Sequence, residues 1–268
     1  MNPVALVTGA SSGIGAAAAR RLVEAGFTVY GAARRTDRIP APALPVPLDL
    51  TDEASIVEAV AHVLAAAGRI DVLVNNAGYG CYGAIEDVPI AEARRQFEVN
   101  LFGLARLVQL VLPGMRARGS GTIINVSSMG GRFATAFGGW YHATKFAVEG
   151  ISDSLRQEVA RFGVRVVVIE PGAIDTEWGG IAMRSGVAVS GAGPYGDRVR
   201  RMAGLLGDPR NVARASKPDV VGRAIARAAR ARRPRTRYAV GMGAKPMVAI
   251  RRLVPDRVLD AVLARVVG

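Results

Sequence analysis

Tyr141 and Lys145 are the two residues of this sequence best suited to proton transfer. They are four residues apart, and in a helix that spacing places both side chains on one face. A free tyrosine has a pKa of about 10, and a neighbouring ammonium group favours the phenolate and moves that pKa towards working pH. Upstream, an apolar segment ends in Ser127 and Ser128, where a hydroxyl would hold a substrate oxygen beside the tyrosine. The pattern indicates acid–base chemistry at Tyr141.

A glycine-rich stretch near the N-terminus, TGASSGIG at residues 8–15, lies between an apolar run and a helix-like segment. Glycines let such a turn take tight backbone angles and approach a pyrophosphate without a β-carbon in the way. The helix that follows presents unpaired N–H groups and the positive end of its dipole to the anion. This turn is therefore predicted to bind the phosphates of a dinucleotide, through Gly9, Ser11, Ser12, Gly13 and Gly15.

The end of the next apolar segment, residues 31–35, indicates which dinucleotide is bound. A fold that binds NAD usually has an acidic residue here for the ribose 2′-hydroxyl. This sequence has alanine at that point, followed by Arg34 and Arg35. A carboxylate would repel a 2′-phosphate, whereas a guanidinium holds it with charge-assisted hydrogen bonds. We expect a preference for NADP(H), with Arg34 as the main contact and Arg35 assisting. The alternative is that both arginines are ordinary surface residues.

Apolar, β-branched segments alternate with helix-like stretches, which is the pattern of βαβ units and a parallel sheet. The sequence predicts an α/β fold of the Rossmann type, a doubly wound parallel sheet forming one domain over residues 1–268, with a C-terminal helical elaboration. Strands are predicted at Val4–Thr8, Thr28–Ala33, Leu44–Asp49, Asp71–Asn75, Gly121–Val126, Val164–Glu170 and Arg237–Val240. Helices are predicted near 13–25, 52–67, 89–116, 140–161 and 217–231, with Thr51 capping the second and Pro218 in the first turn of the last.

Residues 180–215 interrupt the alternation, and the segment 178–215 is predicted to be a substrate lid. In this fold class ligands bind beyond the carboxyl ends of the strands, in variable loops. The loops that reach this edge carry apolar and aromatic side chains, which favour a lipophilic ketone or secondary alcohol over a small polar carbonyl. The side chains in question are Tyr79, Tyr82, Met129, Phe133, Phe137, Trp140, Trp178, Met183 and Met202.

Composition narrows the class of protein further. The formal net charge is +13 and is concentrated in residues 181–268. Such a surface attracts anionic partners or is simply well solvated. Basic and aromatic residues do not alternate as in nucleic-acid modules, so no nucleic-acid partner is expected. A weak membrane-surface contact is predicted through the amphipathic stretch Pro255–Val267.

The single cysteine, Cys81, excludes an internal disulfide and favours a reducing compartment. The chain begins directly with a strand-like segment and has no uninterrupted apolar run of membrane-spanning length, so a cytoplasmic location is expected. Two histidines and one cysteine leave few ligands for a transition metal, and no metal site is predicted.

Taken together, the motifs resemble the short-chain dehydrogenase/reductase family over roughly residues 1–178, and more loosely to the end. The resemblance is specific because the order and spacing of all the pieces agree. The pieces are TGASSGIG, Asp49 in LDLTD, NNAG at Asn75–Gly78, Asn100, Ser128, YHATK at 141–145 and PGAIDT at Pro171–Thr176.

The resemblance implies a role for each matching residue. Tyr141 would be the general acid or base, Ser128 rather than Ser127 would polarise the carbonyl, and Lys145 would lower the tyrosine pKa and bind the nicotinamide ribose. Asn100 would hold a water in the proton relay. Further cofactor contacts are implied for Ile14 beside the pyrophosphate, Asp49 and Leu50 at the adenine, Asn76, Ala77 and Gly78 along the nucleotide, and Pro171, Gly172, Ile174 and Thr176 near the carboxamide.

The family also implies a homodimer or homotetramer, since the helices near 101–116 and 140–161 match those that pair between its subunits. The expected activity is interconversion of a small-molecule carbonyl and alcohol by hydride transfer with NADP(H). Three alternatives keep the same fold: a non-catalytic NADP-binding sensor or scaffold, an epimerase or dehydratase, and a basic membrane-docking protein with a vestigial nucleotide pocket. The sensor would be expected to have lost Tyr141 or Lys145, and both are present.

Overall fold

The computed structural model describes the fold of residues 2–267 and the side chains of residues 2–265. It contains a seven-stranded, wholly parallel sheet in the order β3-β2-β1-β4-β5-β6-β7. The strands are β1 (Val4–Thr8), β2 (Thr28–Ala33), β3 (Leu44–Pro47), β4 (Val72–Asn75), β5 (Gly121–Val126), β6 (Val164–Pro171) and β7 (Arg237–Val240). The predicted fold class is confirmed.

Helices cover both faces of this sheet, as the continuous apolar strands require. One core lies beneath α2 (Glu53–Ala67), α4 (Gly103–Ala117) and α5 (Gly139–Val159). The other lies beneath α1 (Gly13–Glu24) and α9 (Asp219–Arg230), which pack on each other. The short helix α3 (Ile90–Phe97) leads into α4 through a wider turn, Glu98–Phe102.

The chain runs out from β1 to the β3 edge and then returns to β4 on the other side of β1. In register, Val7 of β1 lies between Gly31 of β2 and Val74 of β4. The carboxyl ends of β1 and β4 therefore flank the point where the strand order reverses. Ligands of open α/β sheets bind at such a point, so the fold places the residues after Thr8 and Asn75 at the expected site.

Residues 178–215 fold into helices rather than an irregular loop. These are α6 (Glu177–Ser190), α7 (Gly196–Gly207) and α8 (Pro209–Arg214). After α9 and the edge strand β7, the chain ends in α10 (Ala244–Leu253) and α11 (Asp256–Val267). The amphipathic stretch predicted at Pro255–Val267 contains α11, which packs against α7.

Two local predictions differ from the structure around β3 and α2. Strand β3 ends at Pro47 instead of Asp49, because the Asp49 carboxylate accepts hydrogen bonds from the backbone and hydroxyl of Thr51 and turns the chain. Thr51 is consequently not the cap of α2. Asp52 takes that place, its carboxylate accepting from the Ala54 N–H at 3.0 Å.

Within residues 2–267, the helical stretch Ile90–Ala117 is by length and composition long and apolar enough to cross a membrane. In this fold the stretch lies on the sheet, and Leu107, Val111 and Met115 are buried in the core. Packing on the sheet therefore accounts for the buried third of this stretch.

Candidate active site

The glycine-rich turn after β1 has the geometry of a phosphate cradle. Gly9 and Gly13 have φ angles of +67° and +51°, a region that side chains rarely adopt. A β-carbon on Gly15 would lie 2.1 Å from the Gly9 carbonyl oxygen, so α1 can approach the strand only with glycine there. The three glycines of the TGASSGIG stretch are therefore required by the backbone angles and close packing of the turn.

The first turn of α1 offers its N–H groups to this cradle. Ser12, the residue before the helix, is extended at φ −159° and makes no side-chain cap hydrogen bond. No acidic residue lies in the first turn of the helix. Free N–H groups and the positive end of the helix dipole suit a bound phosphate. The turn therefore fits the pyrophosphate of a dinucleotide, which would contact Gly9, Ser11, Ser12, Gly13, Ile14 and Gly15.

Arg34 and Arg35 are exposed immediately after β2. Arg34 lies close enough to Asp49 to help lower the pKa of that carboxyl group, although the main cause is the hydrogen bond from the Thr51 backbone. Leu50 is buried where α4 begins, and a β-carbon on Gly103 would lie 2.8 Å from its own. The structure thus gathers Arg34, Asp49 and Leu50 at one end of the predicted nucleotide site.

The NNAG segment is tied to the end of β1 by hydrogen bonds. The Thr8 hydroxyl accepts from the backbone N–H groups of Asn76 and Ala77, each at 3.0 Å. The Asn76 side-chain amide donates to the Thr8 carbonyl at 2.9 Å. These bonds hold the floor of the cradle, where a β-carbon on Gly9 would lie 2.9 Å from the Asn76 amide nitrogen.

Asn100 lies in the wider turn between α3 and α4, which has π-helical geometry. Its amide nitrogen donates to the Tyr79 carbonyl at 2.9 Å and to the Thr144 hydroxyl at 3.1 Å, and its oxygen accepts from the Tyr79 N–H at 3.0 Å. Such turns often occur at functional sites because they redirect a side chain out of the regular helical ladder. The uninterrupted helix predicted over 89–116 gave no sign of this turn.

Gly78 brings the two halves of the site together. A β-carbon on this residue would lie 3.0 Å from the Asn100 side-chain oxygen and 3.8 Å from the Lys145 ammonium nitrogen. Because Gly78 has no side chain, Asn100 and Lys145 both approach the space that a β-carbon would fill.

Tyr141 and Lys145 are both buried on α5. The Lys145 ammonium lies 5.9 Å from the centre of the Tyr141 ring and donates to the Val126 carbonyl at 2.9 Å. Burial raises the pKa of Tyr141 to about 12, while the Ser128 hydroxyl acts in the opposite direction. This rise is opposite to the lowering of the pKa by Lys145 that the sequence predicted, because the loss of contact with water dominates. Burial also lowers the pKa of Lys145 to about 8, and the negative charge of Glu149 opposes that shift.

The two serines after β5 point in different directions. The Ser127 hydroxyl is buried and lies 3.5 Å from the Lys145 carbonyl, so it is turned towards the α5 backbone. Ser128 is half-buried, accepts from the Gly130 N–H at 3.0 Å, and lies beside the Tyr141 phenol. Of the two, Ser128 is the one placed to contact a substrate oxygen.

The PGAIDT segment extends from the end of β6 to the start of α6. A β-carbon on Gly172 would lie 2.0 Å from the Met242 carbonyl, so the chain after Pro171 passes tightly against the loop after β7. Ile174 pairs with Ser216 in an isolated bridge. The Thr176 methyl would be 3.2 Å from a β-carbon on Gly13, which places Thr176 beside the phosphate cradle.

Above Tyr141, aromatic and methionine side chains form a third apolar cluster. The Trp178 ring lies 4.8 Å and the Tyr82 ring 6.0 Å from the Tyr141 ring, and together they cover the phenol. Five of the side chains expected around the substrate belong to this cluster, namely Tyr82, Phe137, Trp178, Met183 and Met202. Tyr79 and Trp140 instead face α3, where Tyr79 bonds to Glu92 and Trp140 packs on Phe97.

His142, the residue after Tyr141, is buried and has a structural role. Its ring nitrogens lie 2.9 Å from the Gly130 carbonyl and 3.1 Å from the Thr135 hydroxyl, so it braces the loop between β5 and α5. Burial lowers its pKa, which keeps the ring neutral. In the same loop, Phe137 has a φ of +64°, an uncommon value for a residue with a side chain.

Buried ionic groups that the sequence did not predict lie next to Lys145. Glu149 lies one helical turn after Lys145, and Glu170 lies near the end of β6; both are almost fully buried. Arg237 of β7 donates to Glu149 at 3.0 Å and to Asp153 at 2.7 Å, and lies 3.6 Å from Glu170. The partners are 88 and 84 residues apart in sequence for the two hydrogen bonds. No local pattern reports such contacts.

Comparison with known proteins agrees with this geometry. Residues 3–182 match the family described as short chain dehydrogenase. The NADPH-dependent 3-dehydrocapnine reductase of Ornithobacterium rhinotracheale is 36% identical over 96% of this chain and 95% of that enzyme. The 3-ketodihydrosphingosine reductase of Bacteroides thetaiotaomicron is 40% identical over 65% of this chain, but the alignment spans only 64% of that enzyme.

Among solved structures, a short-chain dehydrogenase from Streptomyces avermitilis superposes with a TM-score of 0.79 at 37% identity, covering 98% of this chain and 94% of that one. The match therefore includes the helices after residue 182, beyond the region that matches the family as a whole. With the cradle after β1, the paired Tyr141 and Lys145, and a family match over two thirds of the chain, this protein belongs to the short-chain dehydrogenase family of oxidoreductases.

Proposed function

We propose that this protein is an NADP(H)-dependent oxidoreductase that interconverts a lipophilic ketone and its secondary alcohol. The observation that carries the proposal is the convergence of Ser128, Tyr141, Lys145 and Asn100 beside the glycine cradle. These side chains come from three separate segments, the loop after β5, helix α5 and the turn before α4, so the arrangement depends on the whole fold.

The cofactor contacts follow from the shape and charge of the cradle. The pyrophosphate would contact the turn from Gly9 to Gly15 and the N-terminus of α1, and the adenosine would lie between Arg34 and Asp49. The exposed guanidinium of Arg34 suits a 2′-phosphate better than a free hydroxyl. The name of the Ornithobacterium relative, an NADPH-dependent enzyme, supports the same preference. When bound, the cofactor would supply or accept the hydride.

The protein's own part in the reaction is to hold the substrate oxygen and move a proton. Ser128 would hold the carbonyl oxygen, and Tyr141 would donate its phenolic proton to that oxygen during reduction. Because burial raises its pKa to about 12, the phenol is protonated at neutral pH and ready to donate. Lys145, still mostly charged at pH 7 with a pKa of about 8, would stabilise the phenolate that remains.

Proton return to Tyr141 would use the path between Lys145 and Asn100. The two side chains meet beside Gly78, and the π turn takes the backbone at Asn100 out of the regular helical pattern. We propose that a water held at Asn100 links Lys145 to solvent. The side-chain amide already bonds to Tyr79 and Thr144, so its role is to fix the turn.

A lipophilic substrate is favoured by what covers Tyr141. The cluster around Tyr82, Trp178 and Met183 offers aromatic and thioether surface directly over the phenol. The Ornithobacterium and Bacteroides relatives are named as reductases of a 3-dehydro and a 3-keto compound, which supports a ketone as the oxidised partner. We propose that α6 to α8 act as a lid that must shift before such a ketone reaches Tyr141.

We also propose that the protein assembles as a homodimer or homotetramer through α4 and α5. Phe102, at the start of α4, is 53% exposed, and Phe146 on α5 is 46% exposed. Two large aromatic side chains in solvent mark a surface suited to another subunit. Light scattering of Phe146→Glu should show a smaller particle than the unaltered protein, and an unchanged mass would exclude this surface.

The activity is tested by following nicotinamide absorbance with NADPH or NADH and a panel of aliphatic, aromatic and steroidal ketones. We expect NADPH to be oxidised by a lipophilic ketone, and Tyr141→Phe to bind NADPH normally while losing at least about a hundredfold in turnover. Arg34→Ala should weaken NADPH far more than NADH. Unchanged turnover in Tyr141→Phe would remove this residue from the mechanism, and an equal loss for both cofactors would remove the role of Arg34.

A further inference from the structure

Basic residues are distributed very unevenly along the chain. Residues 1–180 carry 16 lysines and arginines against 17 acidic residues, whereas residues 181–268 carry 19 against 5. The positive charge of the whole protein thus comes from the lid helices, α9, β7, α10 and α11. The proposed chemistry at Tyr141 does not account for it.

The last two helices combine this charge with exposed apolar side chains. On α10, Ile250 and Leu253 are three residues apart and exposed, while Val248 faces the core. On α11, Val258 and Val262 are four residues apart and exposed, while Leu259 is buried. Each helix therefore has an inner apolar side that packs and an outer apolar side in contact with solvent. We refer to Ile250, Leu253, Val258 and Val262 as the C-terminal apolar face.

Exposure on this face is large for a soluble surface. Leu253 is 84% exposed, and Val258 and Val262 are 53% and 52% exposed. Basic side chains lie among them: Lys245, Arg252, Arg257 and Arg265 are all exposed, and Arg251 bonds to Asp256 at 2.8 Å. A helix with apolar side chains on one side and arginines beside them is typical of segments that lie in the membrane interface.

Such a face could be covered by a second copy of this chain or by a lipid bilayer, and the charge around it favours one of the two. A second copy of this chain packed through a twofold axis would bring the same basic surface against itself, and like charges would oppose the contact. An anionic bilayer offers the opposite charge to the arginines and an apolar layer to the exposed side chains. The combination of charge and apolar exposure therefore favours a lipid surface.

We propose that α10 and α11 dock this protein on anionic membranes, with the C-terminal apolar face in the interface. The docked helix α11 adjoins the predicted substrate site through α7, on which it packs, and Met202 of α7 belongs to the cluster over Tyr141. A lipophilic substrate dissolved in the bilayer would reach the lid without passing through bulk water. This part of the inference rests on the proposed function, but docking itself does not.

The test is sedimentation of the full chain with phosphatidylcholine vesicles, with or without phosphatidylglycerol. We expect binding to the anionic vesicles, with Leu253→Glu lowering the partition coefficient by about tenfold or more, since it removes the most exposed apolar side chain and adds a repelled charge. Leu64→Glu is the matched control: it lies on α2, near the β3 edge of the sheet, and should bind as the unaltered protein does.

Each other outcome counts against the proposal. No binding to anionic vesicles overturns it, and equal loss in Leu253→Glu and Leu64→Glu shows a general effect of negative charge. Binding that salt abolishes and Leu253→Glu leaves unchanged is adsorption by charge alone. A smaller particle in light scattering of Leu253→Glu, with unchanged vesicle binding, assigns the face to a second copy of the chain.

Turnover of a water-soluble ketone without vesicles separates this proposal from the activity. Leu253→Glu should keep that turnover, because the residue is outside the catalytic and cofactor sites. Vesicle binding without turnover would leave docking in place and refute the proposed function. Turnover without vesicle binding would refute docking and leave the proposed function in place.

Discussion

The catalytic face, formed by Asn100, Ser128, Tyr141 and Lys145, holds its polar groups differently from the C-terminal segment, residues 178–267. At the catalytic face, Lys145 and Asn100 are buried and bonded to backbone carbonyls of neighbouring segments. In the lid and tail, the ion pairs Arg210–Asp208 and Arg251–Asp256 join residues close in sequence and lie largely in solvent. The first arrangement fixes atoms to fractions of an ångström, as proton transfer requires. The second ties together only residues that are near one another in sequence, so it does not fix these helices to the rest of the protein.

Glycines in the two regions also differ, as Gly15 of the cradle and Gly204 of α7 show. Substitution of Gly15 should have the largest effect on cofactor binding and stability. Gly15→Ala would place a methyl group 2.1 Å from the Gly9 carbonyl, so the cradle must distort. We expect NADPH binding to weaken by at least about a hundredfold and unfolding stability to fall by about 2 kcal/mol. Fluorescence titration with NADPH and thermal unfolding measure the two quantities.

Gly204→Ala is the matched control on the lid helix α7. A β-carbon there would meet nothing within 4 Å, and alanine is a better helix former than glycine. Stability should stay the same or rise by up to about 1 kcal/mol, with NADPH affinity unchanged. Equal effects of the two substitutions would show that the cradle is more tolerant than its geometry indicates.

Arg237 tests whether long-range ionic contacts stabilise the catalytic side. Arg237→Leu would leave the buried carboxylates of Glu149 and Glu170 with one shared cation, Arg132, at 3.6 and 3.7 Å. We expect a loss of about 3 kcal/mol in the free energy of unfolding. The corresponding change in the lid, Arg210→Leu, removes a pair whose arginine is 87% exposed and should cost less than about 1 kcal/mol.

The loss of stability in Arg237→Leu should depend on pH. Burial and the nearby charge of Glu149 already raise the pKa of Glu170, and the arginines oppose this. Without Arg237 that pKa rises further, so the folded state binds a proton more readily than the unfolded chain. The loss of stability should therefore be larger at pH 8 than at pH 5.5. Chemical unfolding at both values checks it, and a larger loss at low pH would contradict the assignment.

The sequence predicted features that depend on local interactions and missed those that depend on residues distant in sequence. The strands and the glycine turn were predicted nearly to the residue, because apolar runs and steric limits on glycine act locally. The capping by Asp52, the π turn at Asn100 and the Arg237 contacts were not predicted, since each depends on neighbours that only the folded chain brings together. The break in the pattern at residues 180–215 was seen in the sequence, but a break carries no information about the three helices that fill it.

Trp178 is the residue through which the lid should act on the catalytic face. Its ring covers Tyr141 at 4.8 Å, so a bulky ketone must displace it. We expect Trp178→Ala to raise kcat/KM for a bulky ketone relative to a small one by about tenfold, a size typical of pocket changes. The other tryptophan, Trp140, packs on Phe97, away from this cluster. Trp140→Ala should leave the ratio unchanged, and a similar ratio in both variants would remove Trp178 from substrate selection.

His142 gives the smallest expected effect and tests how rigidly the loop before Tyr141 is held. Its folded pKa is lowered by burial, so protonation is easier in the unfolded chain, and stability should fall as pH drops below about 6.5. His142→Gln should reduce the difference in Tm between pH 7.5 and pH 5.5 by a few degrees. His62→Gln, on the exposed side of α2, should leave that difference as it is. If both variants behave alike, the contacts of His142 with Gly130 and Thr135 are not a source of acid sensitivity.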